Sequence, residues 1–189
     1  VSVDLEKTVV NSFRQELRGI NTYRWQAWND AARWCLDHDT NLEEALTWVD
    51  RSIRGGYNGF AADKNVTNLS TKARILKKLN RAEEMQATIQ EVDEIPYTAY
   101  EANTFSIALI SIKAYPEVVK FIDNALGKYP GTWYLGLNQG VGYYFMGEEK
   151  KAVSTIKAIL PKVPEAFQDR IKQITKEMEE GTYKLPPRG

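Results

Sequence analysis

The chain has 189 residues, of which 43% are hydrophobic, 26% charged and 11% aromatic. This ordinary globular composition sets aside the disordered, collagen-like and disulfide-framework classes. Lys and Arg together number 25, as do Asp and Glu, which argues against a globally basic nucleic-acid binder and leaves only a local patch open. No run of about 18 apolar residues occurs, so no membrane insertion is expected, and the lone Cys35 has no partner for an intrachain disulfide.

A chain of this length buries roughly 70% of its unfolded surface, enough for one stable core. It begins at Val1 with no basic segment leading into an apolar one, so a processed or partial chain is expected. In chain order, Asp4 to Arg18 reads as an N-terminal helix within residues 1–21, closed by Gly19 as a C-cap. Four phrases then mark helix starts: Asn41-Leu-Glu-Glu-Ala45, Asn80-Arg-Ala-Glu-Glu-Met85, Ala114-Tyr-Pro-Glu-Val118 and Gly147-Glu-Glu-Lys-Lys-Ala152. Their final apolar residues lie 40, 33 and 34 positions apart, and their acidic residues suit the positive end of a helix dipole.

Each phrase opens an amphipathic helix. The stripes are Leu42, Ala45, Leu46, Val49, Ile53; Ala82, Met85, Ile89, Val92; Val118, Ile122, Ala125, Leu126; and Ala152, Val153, Ile156, Ile159, Leu160. Pro96, Pro130 and Pro164 follow three of these helices and stop them. A helix also precedes each, with a small residue midway: Ala32, Ala73, Ser106 and Gly140. The pattern predicts one all-α domain over 1–189, built from helical pairs at 22–54, 67–95, 97–129 and 131–163. A capping helix at 165–180 carries Phe167, Ile171, Ile174 and Met178 on its stripe, and an extended tail occupies 181–189. Gly55 to Val66 reads as the longest loop.

These units resemble the tetratricopeptide repeat family, best through Ser106, Val118, Ala125 and Pro130 and then Gly140, Ala152 and Pro164. The first unit departs by a longer turn, Asp37 to Thr40, and the second by Met85 where the family prefers alanine. The resemblance implies a right-handed α-solenoid of about four hairpins with N- and C-terminal capping helices. The run Trp25-Gln-Ala-Trp28-Asn-Asp-Ala-Ala32, then Asn41 to Ile53, then Leu69-Ser-Thr-Lys-Ala73, also resembles the C-terminal half of a bacterial family, domain of unknown function 2911. That resemblance implies an exported, periplasmic context and an N-terminal β-rich domain missing from this chain. It supplies no catalytic residues.

Chemistry-bearing patterns have structural readings beside them. Cys35 and His38 are three apart on a helix end, with Asp37 and Asp39 adjacent, which suggests a thiol–imidazole pair or the seed of a metal site. Cys35 falls on an apolar stripe, however, and no second Cys or His exists, so a buried cysteine and a surface histidine are expected and no metal or cofactor is. The Glu pairs at 43–44, 83–84 and 148–149 point in different directions on a helix and form no dyad alone. Gly136, Gly140, Gly142 and Gly147 match no phosphate-binding fingerprint; close helix packing and a turn account for Gly140 and Gly147. Tyr23, Trp25, Trp28, Trp34 and Trp48 suggest an aromatic cage or a core cluster, with Trp25 and Trp34 the more exposed. Two glycosylation sequons begin at Asn65 and Asn68, and Ser70 and Thr71 suit the start of the next helix.

In tetratricopeptide arrays the first helix of each pair lines the concave face. Carrying that register over gives Asn29, Arg33, Arg74, Lys77 and Lys78, then Tyr100, Asn103, Ile107 and Ile110, then Tyr134, Leu137, Val141 and Tyr144. Such a surface runs from basic to aromatic and fits a peptide with an acidic end and apolar anchors. The leading functional expectation is a non-enzymatic scaffold for a protein or peptide partner, with no nucleic acid. The rivals are a module packing against its own missing N-terminal domain and the substrate-shaping half of an enzyme.

Overall fold

The computed structural model describes residues 5–56 and 62–186; Asp4, Pro187 and the middle of the expected Gly55–Val66 loop fall outside them. The described residues hold ten α-helices and no strand. They are α1 (Leu5–Glu16), α2 (Trp25–Asp37), α3 (Leu42–Arg54), α4 (Val66–Lys78), α5 (Ala82–Glu94), α6 (Ala99–Ser111), α7 (Tyr115–Lys128), α8 (Trp133–Phe145), α9 (Glu149–Ile159) and α10 (Glu165–Glu179). The all-α class is therefore as expected, arranged as helical hairpins α2–α3, α4–α5, α6–α7 and α8–α9.

The hairpins share one register. The first helix of each pair has 13 residues, and the eighth of them is the small one: Ala32, Ala73, Ser106 and Gly140, all buried. The fourth residue of each second helix is Ala45, Met85, Val118 or Ala152, and all four are buried as well. Each hairpin also turns in the same way. A residue with φ between 53° and 82° follows the first helix: Asp39, Asn80, Lys113 and Gly147. The next N–H reaches back to the eleventh residue's carbonyl, from Thr40 to Cys35, Arg81 to Leu76, Ala114 to Leu109 and Glu148 to Tyr143, at 2.9–3.0 Å. These are six-to-one bonds of a Schellman motif. The first turn has one extra residue, accommodated by a second left-handed residue, Asn41.

The chain divides into two compact units, Val1–Tyr97 and Thr98–Gly189. In the first, α3 packs against α2 and α4, and α2 also meets α4. In the second, α7 packs against α6 and α8, α6 also meets α8, and α9 packs against α8 and α10. Within each unit, consecutive helices pack together and the first helices of successive hairpins, α2 with α4 and α6 with α8, also meet, as in stacked α-solenoid repeats. Gly140 lets α9 approach: a Cβ there would lie 2.5 Å from Ile156 Cγ1.

Some expectations need correction. Gly19 is not a left-handed cap: α1 ends at Glu16, and Gly19 has φ −91° ahead of a 3₁₀ turn, Ile20–Tyr23. The helix α4 starts at Val66, not at Ser70–Thr71. Asn65 accepts from the N–H groups of Thr67 and Asn68, and Asn68 returns the bond to the Asn65 N–H, so both sequon asparagines serve a capping box. Phe167 stays exposed and stacks on Trp133 at 5.6 Å, while Ile171, Ile174 and Met178 form the buried face of α10.

Candidate functional site

In the first unit, the expected basic surface is largely neutralised by its own neighbours. Arg74 on α4 meets Asp37 at the end of α2 (3.3 Å), and Lys78 meets Asp39 in the following turn (2.7 Å). Arg33 faces Asp30 on its own helix at 3.6 Å. Lys77 is exposed. Asn29 does not line a surface: it is 1% exposed, and its Oδ1 lacks a hydrogen-bond partner. The reason is geometric. The helix α2 packs against both α3 and α4, so it buries a wider stripe than a helix with one neighbour.

The titratable patterns also resolve into structure. Cys35 is fully buried, and burial pushes its thiol pKa up to about 11, unlike an activated nucleophile. His38 caps α2, its Nδ1 lies 2.8 Å from the Trp34 carbonyl, and its ring stacks on Trp34 at 4.0 Å. No cage assembles from the tryptophans. Trp28 and Trp48 are buried, Trp34 is flanked by His38 and Phe13, and the Arg51 guanidinium lies 4.5 Å over Trp28. Glu44 is gripped by Arg14 Nε and Nη2 and by Asn41 Nδ2 (2.6–3.1 Å). The Arg14 bonds hold its carboxyl below the usual glutamate range. Sequence reasoning missed one ion pair, that of buried Lys72 on α4 with half-buried Asp50 on α3, at 2.7 Å. A charge at the seventh position of a helix otherwise buried there carries no sequence signal of its partner.

The second unit is different in kind. The helix α8 has no charged side chain, and α6 has one, Glu101, which closes a capping box with Thr98. Tyr100 is 74% exposed and Ile107 51%. Asn103 and Tyr134 are half-buried. Ile110 and Val141, expected on the surface, are buried, and Leu137 is half-buried. Tyr144 is also engaged: it meets Phe145 and Tyr183 edge-on at 5.2 and 5.6 Å, so residues after α10 pack over it.

Across the α6–α8 contact runs a polar relay that the sequence reading found only in part, through Asn103. Asn138 Nδ2 donates to Asn103 Oδ1 at 2.9 Å and to Ser106 Oγ at 2.8 Å. Ser106 Oγ in turn donates to the Asn103 carbonyl at 2.8 Å. The second, fifth and ninth residues of α6 and α8 share one helical face with the sixth. That places Tyr100, Asn103, Ile107, Tyr134, Leu137 and Asn138 together on the second unit.

No group of three or more His, Cys, Asp or Glu able to hold a metal occurs among the described residues, and no helix among them is long and apolar enough to cross a membrane. No protein-family model matches the sequence, and no curated protein matches it. The solved structure of the MamA RS-1 ArsTM double mutant aligns at a TM-score of 0.45 and 16% identity, covering 82% of this chain and 89% of that one.

Proposed function

We propose that the chain is a non-enzymatic, tetratricopeptide-like repeat scaffold that binds a protein or peptide. The observation that carries this reading is the uncharged, partly exposed surface of α6 and α8, held on hairpins whose buried register is independent of it. Exposed aromatic and aliphatic side chains beside half-buried amides are the materials of a peptide site. The burial of Cys35 and the capping role of His38 support a non-catalytic reading. By family resemblance, the chain is the C-terminal half of a larger exported bacterial protein.

The test is peptide selection on the immobilised chain from a phage-displayed heptapeptide library, with binding confirmed by calorimetry and mapped by hydrogen exchange. The expected result is saturable binding that protects α6 and α8. Failure to enrich any peptide over a bare support refutes the scaffold reading.

A second reading has its own observation. Leu5, Ile20 and Tyr23 in the first unit are 70%, 83% and 63% exposed, and an adjoining β-rich domain would cover such residues. A longer chain carrying that domain should slow hydrogen exchange around 5–23; unchanged exchange refutes it.

A further inference from the structure

We infer that the cleft where α2 begins and α3 ends binds a dianionic phosphoryl group, with Arg51 and Arg54 as its cations. The site lies wholly in the first unit and goes beyond the peptide surface proposed for α6 and α8. The cleft has a volume of about 460 Å³ and is lined by Trp28 on α2 and by Thr47, Trp48, Asp50, Arg51 and Arg54 on α3. That volume lies within the range of small-molecule sites. The positive end of α2 and the negative end of α3 lie at the same end of this hairpin and oppose one another, which leaves the side chains to set the local charge.

Charge pairing sets these two arginines apart. Arg14, Lys72, Arg74, Lys78 and Arg81 in the same unit each meet a carboxylate. Arg51 and Arg54 form no ion pair among the described residues. Asp50, the one acid lining the cleft, is held by buried Lys72 at 2.7 Å, so the two guanidinium charges are left over. Arg51 is also fixed without being satisfied. Its guanidinium packs over Trp28 at 4.5 Å. A Cβ added to Gly56 would fall 2.6 Å from its Cζ and 2.7 Å from its Nη1, so the Gly56 backbone closes on it. Its Nε is buried with no hydrogen-bond partner, and its bond from Nη2 to Thr22 Oγ1 is long, at 3.4 Å. Such unspent donors on a buried stem are uncommon and ask for an acceptor.

The arrangement selects the ligand. Arg51 and Arg54 are three apart on α3 and share one face. Thr47 has its hydroxyl proton committed to the Glu44 carbonyl, so the guanidiniums are the donors of the site. A carboxylate would match only one of their charges. A phosphate monoester carries a charge near −2 at neutral pH and offers three strong acceptor oxygens, enough to share between two guanidinium forks. Trp28 and Trp48, both buried, make the floor apolar, which strengthens a charge-assisted bond above it. Because Trp28 and Gly56 already restrain Arg51, little side-chain ordering is needed on binding.

The experiment is calorimetric titration of the full chain with inorganic phosphate and with phenyl phosphate, at fixed ionic strength and about pH 8, where both are dianions. The expected result is one-to-one binding of at least one of them with a Kd of about 1 mM or tighter. That Kd should rise at least tenfold in Arg54→Gln and in Arg51→Lys, which keeps the charge but not the fork. Gly56→Ala, which pushes on the Arg51 guanidinium, should raise it at least threefold. Arg18→Gln, at an exposed arginine outside the cleft, should change it less than twofold. Thermal unfolding checks that each variant is folded; Arg54 is exposed, so its variant tests the site even if Arg51→Lys fails to fold. Equal Kd values for the two probes assign the site to the free anion, and a tighter phenyl phosphate assigns it to an ester; both uphold the proposal. Binding of both probes that is weaker than about 1 mM or does not saturate overturns it. So does a Kd unchanged in Arg54→Gln, or one raised as much by Arg18→Gln, which would show attraction to charge alone. The peptide selection on the second unit stands or falls separately.

Discussion

Gly140 sits in the middle of α8, where alanine would ordinarily be preferred. Gly→Ala in a helix interior stabilises by about 0.5–1 kcal/mol through backbone entropy. At Gly140, however, the new Cβ would lie 2.5 Å from Ile156 Cγ1, 2.9 Å from its Cδ1 and 3.3 Å from the Ala152 carbonyl oxygen. Ile156 is fully buried, and the carbonyl belongs to the backbone of α9, so neither yields without moving the helix. Overpacking of this kind costs about 1–3 kcal/mol, leaving Gly140→Ala destabilised by about 1–2 kcal/mol. Gly127 in α7 supplies the control: a Cβ there meets nothing within 4 Å, so Gly127→Ala should gain up to about 1 kcal/mol. Urea unfolding followed by far-ultraviolet circular dichroism reads both. Ile156→Ala alone should cost about 2–5 kcal/mol. Combined with Gly140→Ala it should fall short of the sum by about 1 kcal/mol or more, because the added methyl refills part of the cavity. Stabilisation by Gly140→Ala as large as that by Gly127→Ala, or additivity of Gly140→Ala with Ile156→Ala, would refute a close α8–α9 approach at this glycine.

Lys113 holds a left-handed conformation, φ 57°, in the α6–α7 turn. Lys113→Gly should relieve about 1 kcal/mol of that strain net of the added unfolded-state entropy, visible as a higher urea midpoint; a lower midpoint would show the turn is unstrained. Asn29 is buried with an unpartnered Oδ1, so Asn29→Leu should be neutral or stabilising by about 1 kcal/mol in the same assay, and a loss above about 1 kcal/mol would mean the amide is satisfied after all. Glu44 has its folded pKa lowered by Arg14, so its contribution is fully present above the ordinary glutamate range and is lost as pH falls through the lower folded value. Melting curves of the unaltered chain and Glu44→Gln should therefore differ near neutrality and converge on acidification; a difference that persists in acid would refute this.

What was legible in the sequence was the framework. Ala32, Ala73, Ser106 and Gly140 announced where helices approach, and all four occupy one position of equal-length helices. The acidic first turns at Glu43–Glu44 and Glu83–Glu84 likewise marked real helix starts. The surface was less legible, because periodicity describes one helix at a time. It names Arg74 and Lys78 as a basic face but not the Asp37 and Asp39 that face them across a hairpin. It names Asn103 but not Asn138, since the bond joining them spans 35 residues. The register carried over from tetratricopeptide arrays placed Asn29 outward, whereas two neighbouring helices enclose it.

The shared register has a consequence for how this molecule can change over generations. Helix spacing depends on the eighth residue of each first helix, the fourth of each second helix and a left-handed residue between them. On α4 and α6 the second, fifth and ninth residues of the first helix lie outside these positions and are exposed or half-buried. On α4 these are Thr67, Ser70 and Arg74; on α6 they are Tyr100, Asn103 and Ile107. Hydroxyl and basic chemistry in one hairpin and aromatic, amide and aliphatic chemistry in the next are thus carried on one backbone pattern. Selection can rewrite what such a surface recognises by substitution in place, while foldability is inherited unchanged.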